Sequence, residues 1–76
     1  MNFEWRKLAG KDIIATVKRP LGNFVLRVTE KEPWTATIQR EQDIIAKGVF
    51  STRPKAKRFC EKKVEEILEV ERVKKL

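Results

Sequence analysis

Histidine and tyrosine are absent from this chain, and serine and cysteine occur once each, as Ser51 and Cys60. Without histidine, the triads and dyads in which an imidazole activates a nucleophile cannot be built. A zinc site needs several cysteine or histidine ligands, and one cysteine does not supply them. The sequence therefore predicts that the protein is not an enzyme and that it has no catalytic residues, no metal site and no cofactor.

Glycine and proline are scarce too, with three of each. The glycines at 10, 22 and 48 stand alone, so the glycine-rich loop that cradles a nucleotide phosphate is missing. A lone cysteine excludes an internal disulfide framework. The sequence also shows no signal-peptide pattern and no apolar run of membrane-spanning length. These absences predict a cytoplasmic protein with no small-molecule substrate and no membrane partner.

Positive charge, by contrast, is abundant. Eighteen Lys and Arg residues against eleven Asp and Glu give a net charge of +7. The excess lies in residues 5–20 and 44–58, whereas residues 59–76 are balanced. Charge concentrated in blocks favours a polyanionic partner over general solubility, which is the simpler explanation. The many Lys, Glu, Arg, Val and Ile residues are typical of proteins from hot environments.

The order of polar and apolar residues predicts one domain, residues 1–76, because a chain this short supports a single core. Between turn signals, apolar and polar residues alternate as in β-strands. The predicted strands are 13–19, 24–30, 34–39 and 44–51, together with an edge strand at 3–8 and a hairpin loop at 40–43. The alternation assigns Ile44, Ala46, Gly48 and Phe50 to the buried face.

From about residue 54 to residue 74 the period becomes helical. One arc of this predicted helix is apolar and contains Ala56, Phe59, Cys60, Val64, Ile67, Leu68 and Val70, and the opposite side contains Arg58, Glu61, Lys62, Glu65, Glu66 and Glu69. We therefore predict an α+β fold: an antiparallel meander of three to five strands, packed on one face by a single long C-terminal helix.

The other face of such a sheet would be uncovered. It would display Lys18, Arg27, Thr35, Thr37, Gln39 and Lys47, which are candidate contacts to phosphates, sugars and base edges. It would also display Val25, Ile45 and Val49, an apolar element that favours a protein partner instead.

The start of the helix is unusual because it carries cations where the helix dipole prefers acids. These are Arg53, Lys55, Lys57 and Arg58. Two explanations stay open: the charges are simply solvated, or they bind a phosphate together with the exposed backbone N–H groups. Ser51, Thr52 and Arg53 are all candidates for the helix cap.

Three side chains have alternative structural and functional interpretations. Cys60 lies in the apolar arc and is predicted to be a small buried residue. Trp34 shares its parity with Ala36 and Ile38, which predicts core packing. For Trp5, edge packing and ligand stacking remain equally open.

The segments Trp34–Ile38 (WTATI) and 48–52 (GVFST), followed by Ala56, resemble three-stranded-sheet-plus-helix DNA-binding domains. These are the plant ethylene-response-factor type and the N-terminal arm-binding domains of phage-type integrases. The resemblance covers about residues 24–68. It implies that the open sheet face enters the DNA major groove, with contacts from Arg27, Thr35, Thr37, Gln39 and Lys47.

Taken together, these features predict a small basic nucleic-acid-binding protein, with DNA favoured over RNA. It would contact phosphates through the open sheet face and the helix N-terminus. The alternative is a protein-interaction or regulatory module that docks on an acidic partner or forms a homodimer through the sheet face.

Overall fold

The computed structural model describes residues 3–8 and 12–74. Its elements are β1 (Arg6–Lys7), β2 (Ile13–Val17), β3 (Phe24–Val28), β4 (Trp34–Arg40), β5 (Asp43–Phe50) and α1 (Arg53–Lys74). The strands form one antiparallel sheet in chain order, and α1 packs on β3, β4 and β5. The predicted α+β fold, a meander sheet with a single C-terminal helix, is confirmed.

The core lies between α1 and one face of the sheet. Leu26 and Ile38, which are neighbours in register across β3 and β4, are fully buried. The helix contributes Ala56, Cys60 and Val64 to the same cluster, and all three are fully buried as well. Removing this apolar surface from water is the main stabilising term for a fold of this size.

Gly48 allows the helix to approach β5. A side-chain carbon at this position would lie 2.9 Å from the Phe50 ring and 3.7 Å from the Phe59 ring. The centroids of these two rings are 5.0 Å apart. Glycine thus leaves the space in which the two phenylalanines join the end of β5 to the first half of α1.

The helix cap is Thr52. The backbone N–H of Lys55 donates to Thr52 Oγ1 over 3.3 Å, and the N–H of Ala56 donates to the Thr52 carbonyl over 3.2 Å. Of the three cap candidates, the structure therefore selects the threonine, as expected from its side-chain oxygen.

The prediction that Ile44 is buried is wrong. Ile38 pairs with Ala46, but Gln39 pairs with Ile44, so β5 contains one extra residue at this point. Such a bulge reverses the alternation beyond it. Ile44 consequently points away from the core and is 64% exposed.

Several predicted boundaries also shift. The strand at 3–8 is reduced to the two residues of β1, and β2 and β3 end at Val17 and Val28, where their mutual pairing stops. The sheet extends instead in β4, which reaches Arg40. On α1, Val70 belongs to the predicted apolar arc but is 51% exposed. Residues 9–11, between the predicted strands at 3–8 and 13–19, lie outside the described residues.

Candidate nucleic-acid interface

The open face of the sheet carries a row of residues that crosses all five strands. Arg6 pairs with Ile14, Ile14 with Arg27, Arg27 with Thr37, and Thr37 with Lys47. We call Arg6, Arg27 and Lys47 the cationic row. Neighbouring strands lie about 4.8 Å apart, so the Cα atoms of the outer two cations are about 19 Å apart, with Arg27 midway.

All three residues of the cationic row are exposed. The Arg27 guanidinium lies 3.7 Å from a carboxylate oxygen of Asp12, and the side chains are 54% and 30% exposed. An ion pair this open to water contributes at most about 1 kcal/mol. Asp12 therefore restrains Arg27 weakly and leaves it able to exchange its partner for a stronger anion.

The predicted polar contacts lie near the cationic row. Thr37 pairs with both Arg27 and Lys47, and Gln39 pairs with Val25 in the neighbouring row of residues. Lys18 is exposed just beyond β2. Gln39 Nε2 donates to the Glu41 carbonyl over 3.0 Å, and Thr35 Oγ1 donates to the Pro33 carbonyl over 3.3 Å. These two side chains are thus engaged with the backbone, whereas Arg27, Thr37 and Lys47 present their polar groups on the open face.

The helix-start cations belong to the opposite layer. The Arg53 guanidinium lies 5.1 Å from the centre of the Trp34 ring, and its Nε is buried with no hydrogen-bond partner. Lys57 Nζ lies 5.5 Å from the centre of the Trp5 ring. Lys55 and Arg58 are exposed on the helix. Of the ten predicted site residues, five therefore lie on the open face of the sheet, four lie on the helix layer, and Lys18 is exposed beyond the end of β2.

Both tryptophans are used in packing. Trp34 packs against the core, which confirms its predicted role. Trp5 also packs against the core, and its indole N–H donates to Glu61 Oε2 over 2.8 Å. Glu61, predicted on the polar side of the helix, is therefore half-buried, because the N-terminal segment with Trp5 packs against this side.

Aromatic residues occupy only one side of the molecule. Phe24 is fully buried, and Phe3, Trp5, Trp34, Phe50 and Phe59 all pack against the core on the helix side of the sheet. The chain has no tyrosine and no further phenylalanine or tryptophan. The open face therefore offers no ring on which an unpaired base could stack, the usual basis of single-strand binding.

Sequence reasoning missed Arg6 as a candidate site residue. Its signal was present, because its parity within 3–8 is opposite to that of Phe3 and Trp5, the two residues that pack on the core. Only the pairing of Arg6 with Ile14 shows that it extends the row of Arg27 and Lys47.

Arg40 is a cation that contacts the helix and the core instead of belonging to the open face. Its guanidinium forms a two-pronged ion pair with Glu71 near the end of α1 and lies 4.4 Å from the centre of the Phe24 ring. Hydrogen bonding to Glu71 is the main reason that the pKa of Arg40 is raised, and nearby burial opposes the shift. This arginine links α1 to β4 and stays protonated, as arginine does in proteins.

Cys60 is fully buried, as predicted. Burial, with a smaller effect of Glu61, raises the pKa of its thiol to about 12. A thiol with this pKa is unreactive at neutral pH. Among residues 3–8 and 12–74, no group of three or more His, Cys, Asp or Glu side chains is placed to hold a metal ion.

The described part of the chain has no helix that is both long enough and apolar enough to cross a membrane. Comparisons of the chain with protein-family models, with curated proteins and with solved structures found no match. The resemblance to sheet-plus-helix DNA-binding domains therefore stays a prediction.

Proposed function

We propose that this chain is a small DNA-binding domain that places the open face of its sheet against duplex DNA. The observation that carries the proposal is the cationic row. Arg6, Arg27 and Lys47 stand on alternate strands of one row, on a face that no other described element covers. Phosphate contacts of this kind supply most of the affinity of proteins for DNA.

The dimensions of the row support a duplex. Its ends are about 19 Å apart, and the major groove is about 12 Å wide. The long side chains of Arg6 and Lys47 would reach the phosphates on either side of the groove. Between them, the long side chain of Arg27 would reach a third phosphate on one side of the groove, and the short Thr37 would face the base edges.

The distribution of aromatic residues favours duplex DNA over a single-stranded partner. A single-strand site combines a basic groove with stacking rings, and in this fold the rings lie on the covered side of the sheet. Lys55 and Arg58 are exposed on the helix layer. They would add to the positive field that attracts DNA, but they would not touch the DNA bound on the open face.

The test is a fluorescence anisotropy titration of a labelled 20-base-pair duplex at several salt concentrations. Each lost phosphate contact should lower the salt slope by about 0.9, which corresponds to about fivefold in affinity at 0.15 M salt. The double substitution Arg27→Ala and Lys47→Ala should therefore weaken binding by about 25-fold.

The matched control is Lys62→Ala with Arg72→Ala, which removes the same two residue types from exposed positions on α1. It should change the affinity by less than about threefold, through the general field alone. Equal losses in the two double variants, or no duplex binding at low salt, would refute the sheet-face site.

An acidic protein partner is the second candidate. Val49 and Ile44, which are 63% and 64% exposed, give the open face more apolar surface than phosphate binding requires. The substitution Val49→Ser distinguishes the two candidates. Duplex affinity should change less than about twofold if phosphates dominate, whereas a protein interface centred on this patch would be lost.

A further inference from the structure

The outer edge of β5 is a surface separate from the open face. β5 is the last strand in the sheet and has eight residues, whereas β1, at the opposite edge, has two. Among the described residues, no strand pairs with this outer edge. A long edge strand presents a row of backbone N–H and C=O groups that can pair with another strand.

The helix has an apolar flank above this edge. Phe59 and Ile67 pack only partly against the core, and Val70 is 51% exposed. The contact between Phe59 and Phe50 places this flank over β5. Two shallow grooves of about 360 and 240 Å³ run along it, lined in part by Lys63 and Glu66. We define the β5 flank as Phe59, Lys63, Glu66, Ile67 and Val70.

We propose that two copies of the chain pair through β5. The strands would run antiparallel about a two-fold axis perpendicular to the sheet, and the two β5 flanks would meet on the helix side. Such an interface uses the same surface on both copies, so the surface must be complementary to itself.

The β5 flank has this self-complementarity. When two such helices lie antiparallel with the axis between Val64 and Glu65, Lys63 of each copy faces Glu66 of the other. The same axis places Phe59 of one copy against Val70 of the other. Two reciprocal ion pairs are thus enclosed by two apolar contacts, which makes a second copy a better occupant than an unrelated acidic or basic partner.

The strand and the helix place the two-fold axis at nearly the same level. Phe59 lies at the level of Phe50, and the midpoint of the flank is about 8 Å further along the helix at 1.5 Å per residue. This distance equals two to three residues of β5 at about 3.3 Å each. It leads back to the bond between Lys47 and Gly48, about one residue from the midpoint of Asp43–Phe50. A single two-fold axis near Lys47 therefore pairs most of the strand and aligns the two flanks.

The interface would be small. The eight residues of β5 and the five of the β5 flank compare with about 20–30 residues per side in a standard interface. Lys47 lies near its own copy across the axis, and like charges at this spacing oppose pairing. We therefore expect a weak dimer, with a dissociation constant of about 10 to 100 μM. Both open faces would lie on the same side of the joined sheet.

The test is sedimentation equilibrium of the full chain, without nucleic acid, from about 10 μM to 1 mM protein. Pairing does not depend on the proposed DNA binding, so either proposal can fail alone. We expect Val70→Glu to weaken the dimer at least about tenfold, because it places a charge against Phe59. The matched control is Leu21→Glu, at a residue that is 61% exposed in the turn between β2 and β3, and it should leave the dimer unchanged.

A charge swap tests the axis itself. Lys63→Glu and Glu66→Lys should each weaken the dimer about tenfold, since each turns both ion pairs into repulsions. The double substitution restores both pairs and should bring the dissociation constant back within about threefold of the original. Hydrogen exchange should also slow in β5, and not in β1, as protein concentration rises.

Three results would overturn the proposal. The first is a chain that remains monomeric at about 1 mM. The second is a dimer that Val70→Glu and Leu21→Glu weaken equally. The third is a double charge swap as weak as its single variants.

Discussion

The two faces of this sheet use the same strands for opposite purposes. On the covered face, Phe24, Leu26 and Ile38 are fully buried against α1. On the open face, the positions between them carry Arg27, Thr37 and other side chains in contact with water. Because successive residues of a strand point to opposite sides, one segment can encode both a core and a polar surface.

This difference separates stability from binding. Apolar burial acts within the molecule and is lost when a buried side chain is shortened. Solvated charges contribute little to stability but create the field that a polyanion meets. Neighbouring residues of a single strand should therefore respond differently to substitution, and that expectation can be tested residue by residue.

The largest difference is expected within β4, between Ile38 and Thr37. Ile38→Ala removes a fully buried side chain and should lower the free energy of unfolding by about 2–5 kcal/mol. Thr37→Val keeps the shape and the β-propensity of an open-face residue, so it should change this free energy by less than about 0.5 kcal/mol. Urea denaturation followed by circular dichroism measures both. Similar losses in the two variants would show that the open face is covered in solution.

A smaller loss of stability should appear at high pH, and it should come from the core between the helix and the sheet. The folded state holds the Cys60 thiol with a pKa of about 12, whereas an unfolded cysteine titrates near 8.5. As the pH rises above about 9, the unfolded state loses its proton first. The free energy of unfolding should then fall by up to about 1.4 kcal/mol per pH unit.

The control for this effect is Cys60→Ala, compared with the original chain by urea denaturation at pH 8, 9 and 10. The variant has no thiol to titrate, while its lysines titrate as before, so the difference between the two stability curves isolates Cys60. Curves that stay parallel would mean that the thiol is accessible to water in the folded state.

The alternation of apolar and polar residues predicted the fold, because along most of each strand every second residue is buried. It failed at Ile44, where the bulge opposite Gln39 depends on pairing with β4 and on the tight turn at Glu41–Gln42. Glu41 has a φ of 54°, the left-handed conformation of a short turn. The sequence of one strand does not contain such information, since it arises between two strands.

The candidate site was predictable to a similar extent. Parity placed Arg27 and Lys47 on one face, but their alignment with Arg6 depends on four successive registers, which the sequence of each strand leaves undetermined. The separation of Arg53 and Lys57 from the sheet face depends on their contacts with Trp34 and Trp5. Those contacts depend on the rotation of the helix and on the path of the N-terminal segment. Both are features of the tertiary structure, which the local sequence does not specify.

The smallest effect, and the sharpest test of the comparison, concerns one acid on the open face. Asp12 lies 3.7 Å from Arg27 and opposes the approach of a phosphate to it. Asp12→Asn should raise duplex affinity by about two- to fivefold, since the change is worth about one ionic contact. It should change the free energy of unfolding by less than about 1 kcal/mol, because the ion pair is exposed.

Glu69→Gln is the matched control, because it removes the same charge from the exposed Glu69–Arg72 pair on α1. The net charge of the two variants is identical, so any general electrostatic gain in affinity must be equal. A larger gain for Asp12→Asn, measured by the same anisotropy titration, would place the phosphates next to Arg27. Equal gains would mean that DNA senses only total charge, and the two faces would then differ in their packing but not in their binding.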